Sequence, residues 1–167
     1  MTTSQLQSTE TPPVHLDPPS FKDGDAMLIA GLQGHFSNGT MGQIPTQWMR
    51  FIPHIGHIAG QVGRIAYGVC SLSPNGVDYL SGVQVANSTD LPADFNVVSI
   101  PAQRYAVFAH HGHVSKLGET CDAIEHQWLP RSGYHHPQNS PNFFERYGEG
   151  FDPKTGTGDI EVWVPIS

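Results

Sequence analysis

The segment 28–86 and the segment 107–166 run through the same features in the same order, and this repetition constrains the fold more than any other property of the chain. A repeated order of elements marks a duplicated structural unit whose copies bury their apolar faces together. Each copy opens on an apolar run, Leu28-Ile29-Ala30 or Val107-Phe108-Ala109, that closes on Gly34-His35 or Gly112-His113. A helical segment follows. Ile44-Pro45-Thr46-Gln47-Trp48 stands about eighty positions before Ile124-Glu125-His126-Gln127-Trp128. Two strands joined by a turn complete each copy, 65–71 with 77–86 in the first and 142–147 with 159–166 in the second.

Local patterns support these elements. Ile44, Trp48, Phe51 and Ile55 fall on one helical face, and Thr40 with Gln43 is spaced as a capping box. Leu117, Cys121, Ile124 and Trp128 repeat the pattern, with Ser115 as the expected N-cap. Pro53 and Pro130 are expected to end the helices, because proline lacks the amide proton that a continuing turn needs. Alternation puts Tyr67, Val69 and Ser71 on one strand face and Ala66, Gly68 and Cys70 on the other. Gly82 marks a bulge or a close backbone approach. One helix per three strands leaves each unit a covered and an uncovered sheet face. The expectation is an α+β fold with a ligand groove lined by the uncovered faces.

Composition fits a single small domain. Hydrophobic residues make up 38% and the formal charge is −7, a balance that argues against binding nucleic acid through phosphate neutralisation. No run approaches the roughly 18 apolar residues of a membrane span. Cys70 and Cys121 sit in apolar patterns, as small buried hydrophobes of a reduced cytoplasmic protein would. Residues 1–20, with no basic start or apolar run, are expected to be a flexible leader and not a secretory signal. The domain then covers 21–167, with the first repeat over about 21–90 and the second over about 91–167.

The chemistry concentrates in Asn142-Phe143-Phe144-Glu145-Arg146-Tyr147. On a strand, Phe143, Glu145 and Tyr147 share one face. A carboxylate among aromatic rings on a half-buried strand is costly unless compensated. An organic cation would compensate it, through the charge and through cation–π attraction of about 0.5–2 kcal/mol per ring. Pairing of Glu145 with Arg146 or another base, or plain solvation, is the alternative. On the last strand Ile160, Val162 and Val164 belong against a helix, which leaves Glu161 and Trp163 for the groove or for solvent. Tyr79 holds the equivalent place in the first unit. Trp48 and Trp128 fit core stripes, although the loop Ser37-Asn38-Gly39-Thr40 could bring Trp48 to the groove.

Ten histidines raise the question of a metal. The clusters His54-x-x-His57, His110-His111-x-His113 and His135-His136 lack the helical His-x-x-x-His spacing and any Cys-x-x-Cys partner, so no metal is expected. No cofactor motif, phosphate loop or nucleophile elbow is present. Gly156-Thr157-Gly158 precedes a strand and reads as a hairpin loop.

Tyr105-Ala106-Val107-Phe108, Trp128-Leu129-Pro130-x-Ser132-Gly133-Tyr134, Phe144-Glu145-Arg146-Tyr147 and Val162-Trp163-Val164-Pro165-Ile166 together resemble the GyrI-like, AraC-type effector-binding domains. Ile44-Pro45-x-x-Trp48, Tyr67-Gly68-Val69 and Asp78-Tyr79-Leu80-Ser81-Gly82-Val83 look most like the stand-alone, integron-associated subgroup. The resemblance implies a duplicated strand–helix–strand–strand (SHS2-type) fold with pseudo-twofold symmetry and a cleft between antiparallel sheets. It implies that Glu145 pairs with lipophilic cations, ringed by Tyr67, Tyr79, Tyr147, Trp163 and Trp48; Glu161 is a further candidate from the last strand's alternation alone. It also brings two other readings: hydrolysis of strained-ring toxins with Glu145 as base, and inhibition of DNA gyrase by protein contact. The leading expectation is a cation-binding sensor or sequestering protein, not an enzyme, with any DNA contact supplied by a separate regulator.

Overall fold

The computed structural model describes residues 15–37 and 39–167. Eight strands form one antiparallel sheet: β1 (Ser20–Gly24), β2 (Met27–Phe36), β3 (Gln61–Ser73), β4 (Gly76–Val85), β5 (Asn96–Ile100), β6 (Gln103–His110), β7 (Phe143–Tyr147) and β8 (Ile160–Pro165). Their order across the sheet is β1-β6-β8-β7-β3-β4-β2-β5. The first unit supplies β3-β4-β2 and the second supplies β7-β8-β6, so the order reads alike outward from the β3/β7 seam. The α+β fold and the duplication stand as expected. The two units meet in one continuous sheet.

Strands β1 and β5 exchange between the units. β1 precedes the first unit but pairs with β6 of the second, and β5 precedes the second but pairs with β2 of the first. Only Asp25 and Ala26 link β1 to β2, and only Pro101 and Ala102 link β5 to β6. In a flat sheet β1 and β2, six positions apart, would be separated by about 29 Å at ~4.8 Å per step. Two linking residues reach only about 11 Å. The sheet must therefore curl until its edges approach each other over one face. That inner face buries Ile29, Val69, Leu80, Tyr105, Val107 and Phe144. The outer face carries both helical segments, which pack on Phe36, Phe108, Val162 and Val164.

The first helix, α1 (Ile44–Phe51), follows a 3₁₀ turn at Met41–Gln43. The expected capping box does not form. The Thr40 hydroxyl instead accepts the Ser37 amide at 2.8 Å, a local turn bond that competes with capping. α1 is tied to the sheet by buried Gln47, whose Nε2 donates to Leu32 O at 2.9 Å, Tyr79 O at 3.1 Å and Ser81 Oγ at 3.1 Å. Gln47→Leu keeps the volume and removes the donor, so it should cost about 2 kcal/mol in urea unfolding. A loss below about 0.5 kcal/mol, within the range of inert surface changes, would show that the amide anchors nothing.

The second helix begins as α2 (Leu117–Ala123), widens into a π turn at Ile124–Trp128 and continues as α3 (Leu129–Ser132). A 3₁₀ turn at Val114–Lys116 leads into it and is capped by His113, whose Nδ1 accepts the Ser115 amide at 3.0 Å; Ser115, the expected N-cap, lies inside that turn. Pro130 does not end it. The Leu129 amide bonds to Ile124 O across the π turn, which shifts the register just before the residue that has no amide proton. Gly133, at φ +81°, is the terminator. Pro53, in contrast, lies in a 3₁₀ turn at the end of α1.

Of the leader expected over 1–20, residues 1–14 lie outside the described residues. Leu16 packs on the outer-face core, and Ser20 opens β1. Asn38, in the loop expected near the groove, is likewise outside them. Cys70 and Cys121 are buried and free. Among the described residues no helix is long and apolar enough to cross a membrane.

Candidate ligand-binding site

The seam between the units sets the site. Antiparallel register places Gly68 of β3 opposite Glu145 of β7, Ala66 opposite Tyr147 and Cys70 opposite Phe143. Small residues on β3 thus face large or charged ones on β7, which leaves room above the sheet on its outer face. Glu145 is 9% exposed. Its Oε1 accepts the Tyr79 hydroxyl at 2.6 Å and the Tyr147 hydroxyl at 2.8 Å. The Trp48 indole donates to the Tyr79 oxygen at 2.9 Å, which orients that hydroxyl toward the carboxylate. Glu145 forms no ion pair among the described residues.

This environment raises the Glu145 pKa from 4.5 to about 6. Burial is the main cause, and the bonds from Tyr79 and Tyr147 oppose it. Burial, with the neighbouring Glu145 charge, pushes the Tyr79 and Tyr147 phenols and the Cys70 and Cys121 thiols up. These groups stay protonated, as donors and packing and not as nucleophiles.

Beside the carboxylate lies a cavity of about 730 Å³. Trp48, Met49 and Ile52 of α1 form one side, and Val114 with Phe151 and Gly156 forms the other. Tyr147 is shared between the cavity wall and Glu145, and its ring meets Trp48 edge-on at 5.4 Å. The lining is apolar with two charged residues, Arg64 and Glu149, both exposed; the Glu145 carboxylate lies behind the wall and is linked to the cavity through Tyr147, whose hydroxyl it accepts.

The expected site residues divide between the two faces. Glu145, Tyr147, Tyr79 and Trp48 come together. Tyr67, Trp163 and Glu161 lie on the inner face, because Tyr67 pairs with Arg146 and Phe144 with Trp163 across the strands. Glu161 accepts the Trp163 indole at 3.0 Å and Arg146 at 3.5 Å, so it is a paired carboxylate remote from Glu145. Tyr79 and Trp163 are therefore not equivalent positions. This cavity lies on the helix-bearing face, between α1 and the segment 147–156, while the uncovered inner face, where the groove was expected, carries a smaller cavity.

Gly68 was not among the expected site residues, yet a methyl there would overlap the Tyr79 hydroxyl and the Glu145 carboxylate. Its signal was the small-residue face Ala66-x-Gly68-x-Cys70. Gly82 does mark a close approach, since a Cβ there would come within 2.6 Å of Ala30 O. Among the described residues no three His, Cys, Asp or Glu side chains gather as a metal would require. Several histidines are held structurally, His110 by Thr120 and His113 O and His136 by Glu125.

Residues 17–167 match the model of the GyrI-like small molecule binding domain. The chain belongs to this family. The transcriptional regulator BrlR of Pseudomonas aeruginosa is 32% identical over 146 residues, covering 84% of this chain and 52% of BrlR, so the chain spans about half of that relative's length. The structure of SAV2435 bound to tetraphenylphosphonium superimposes with a TM-score of 0.67 at 22% identity, covering 92% of this chain and 94% of SAV2435. The integron cassette protein VCH_CASS2 of Vibrio cholerae superimposes with a TM-score of 0.61 at 12% identity, covering 92% of this chain and 98% of VCH_CASS2. At these identities the two structures share the fold. The GyrI-like domain described here is thus a small-molecule-binding domain with regulators among its relatives.

Proposed function

We propose that this GyrI-like domain binds a lipophilic organic cation in the outer-face cavity, as a sensor or sequestering protein in the cytoplasm. The observation that carries this reading is Glu145: a buried carboxylate, held by two phenols, with no cationic side chain paired to it among the described residues. A bound cation supplies the missing charge, and the Trp48 and Tyr147 rings add cation–π attraction. The cavity lies within the 300–1,000 Å³ range of small-molecule sites. The charge of −7 supports a domain that does not itself contact nucleic acid, with a separate regulator protein as the reader of its state.

Tetraphenylphosphonium, the ligand in the SAV2435 structure, is the natural probe. Its titration should quench tryptophan fluorescence saturably, while tetraphenylborate, similar in shape and opposite in charge, should not bind. Affinity should be constant above about pH 7 and fall about tenfold per unit below pH 6, as Glu145 takes up its proton. Equal binding of cation and anion would remove charge from the recognition.

The same pKa near 6, with hydroxyl donors on the carboxylate, suits a general base acting on a neutral electrophile. Turnover of a strained-ring compound that disappears in Glu145→Gln would favour this hydrolase reading.

A further inference from the structure

The geometry points to a second small-ligand site, on the inner face of the curled sheet, shaped for a small planar aromatic carboxylate. It holds a cavity of about 210 Å³ walled by Tyr67, Tyr105, Phe144 and Trp163, with Arg146 and Gln84 as polar lining. The rings are ordered: Phe144 and Trp163 stack at 5.6 Å and 17°, and Tyr105 meets both edge-on at 5.4 and 5.2 Å. Such walls take a flat ring by stacking or by edge contact.

Arg146 supplies the anion contact. Its bond to Glu161 is long, at 3.5 Å, and the same oxygen already accepts the Trp163 indole at 3.0 Å. A guanidinium has five donors in a planar fork that fits a carboxylate bidentately, and the loose ion pair with Glu161 together with the contact to Tyr67 leaves further donors for a ligand. Arg146 also lies close enough to Tyr67 to oppose the upward effect of burial on that phenol. Lys22, exposed and outside the lining, holds its ammonium 5.6 Å from the Trp163 ring. Asp25 at the mouth is exposed, where water screens its charge. An organic cation would meet Arg146, so this face does not duplicate the Glu145 site.

The connection between β1 and β2 closes the cavity. Gly24, Asp25 and Met27 line it, and a Cβ on Gly24 would come within 2.6 Å of the Tyr105 ring. Glycine therefore lets this strap lie directly on the aromatic wall. Glu145 and Arg146 are successive residues of β7 and project to opposite faces, so each site can be disabled without touching the other.

Amide chemical-shift mapping with benzoate tests the assignment. Saturable shifts should appear at residues 24–27, 84 and 146 and leave Met49 and Val114 of the outer-face cavity unaffected. Benzamide, which lacks the charge, and cyclohexanecarboxylate, which lacks the flat ring, should bind about tenfold more weakly. Arg146→Gln should lose benzoate by at least about tenfold, while Glu145→Gln keeps it. No saturable shift, shifts centred on Met49 and Val114, or benzamide binding as well as benzoate would overturn the assignment. So would undiminished binding by folded Arg146→Gln. If that variant does not fold, the wild-type map and the benzamide comparison decide.

Discussion

Glu145→Gln should lose at least about tenfold in tetraphenylphosphonium affinity and, without ligand, gain about 2 kcal/mol of stability at pH 7. The gain follows from the position of the proton. The folded protein holds it up to about pH 6 and the unfolded chain only to about pH 4.5, so between these values the folded state binds more protons. Stability from Glu145 is thus fully present below pH 4.5 and is lost as pH rises through 6. Glutamine is neutral throughout, and its amide oxygen can still accept the Tyr79 and Tyr147 hydroxyls. The advantage of the variant should therefore vanish below about pH 4.5. At this chain length about 2 kcal/mol corresponds to roughly 4–8 °C in Tm. Thermal melts at pH 4 and pH 7, beside the fluorescence titration, separate the outcomes. A variant that loses binding and is also destabilised at pH 7 would make Glu145 a structural group. One that is stabilised and still binds would place cation recognition elsewhere.

This opposition between binding and stability was partly legible in the sequence. Period-two alternation correctly grouped Glu145 with Tyr147 and Glu161 with Trp163, because side-chain direction along one strand needs no tertiary information. Relating those groups to each other required the register between strands. Glu145 sits opposite Val162, not beside Trp163, and both sheet faces are apolar enough to have been chosen for a groove. The helices and the duplication were legible for the same local reason. Strands β1 and β5 were not. Ser20–Gly24 is short and polar, and its strand character comes from pairing with β6 some eighty residues later. The curl that encloses the inner face follows from that exchange, so it was equally hidden. Pro130 misled because the rule that proline ends helices ignores a π turn, which can absorb the missing bond.

Gly68→Ala should be the single-methyl change that most directly disturbs the Glu145 contact, although Gly31, whose Cβ would meet the Ser81 carbonyl, is tighter. The backbone at Gly68 is ordinary strand, so alanine meets no conformational penalty there, and the effect is steric. The new Cβ would come within 2.7 Å of the Tyr79 ring carbon that bears the hydroxyl, and it would also overlap the Glu145 carboxylate. Overpacking of this kind costs about 1–3 kcal/mol. Displacing Tyr79 also removes a bond that holds the Glu145 pKa down, so the pH at which cation affinity begins to fall should move above 6. Gly118→Ala, on α2 with open space around it, is the control and should be neutral or slightly stabilising. The pair Gly68→Ala and Tyr79→Phe isolates the clash. Removing the hydroxyl that the methyl strikes should recover part of the lost stability, so the double variant should be more stable than additivity predicts. Its pH midpoint should stay high, since Tyr79 no longer donates. Native affinity and an unchanged midpoint in folded Gly68→Ala would show that the phenol–carboxylate contact does not set the charge of the site. A clash relieved without any return of the midpoint would show that Gly68 makes space for a hydrogen bond whose purpose is to keep Glu145 ionised.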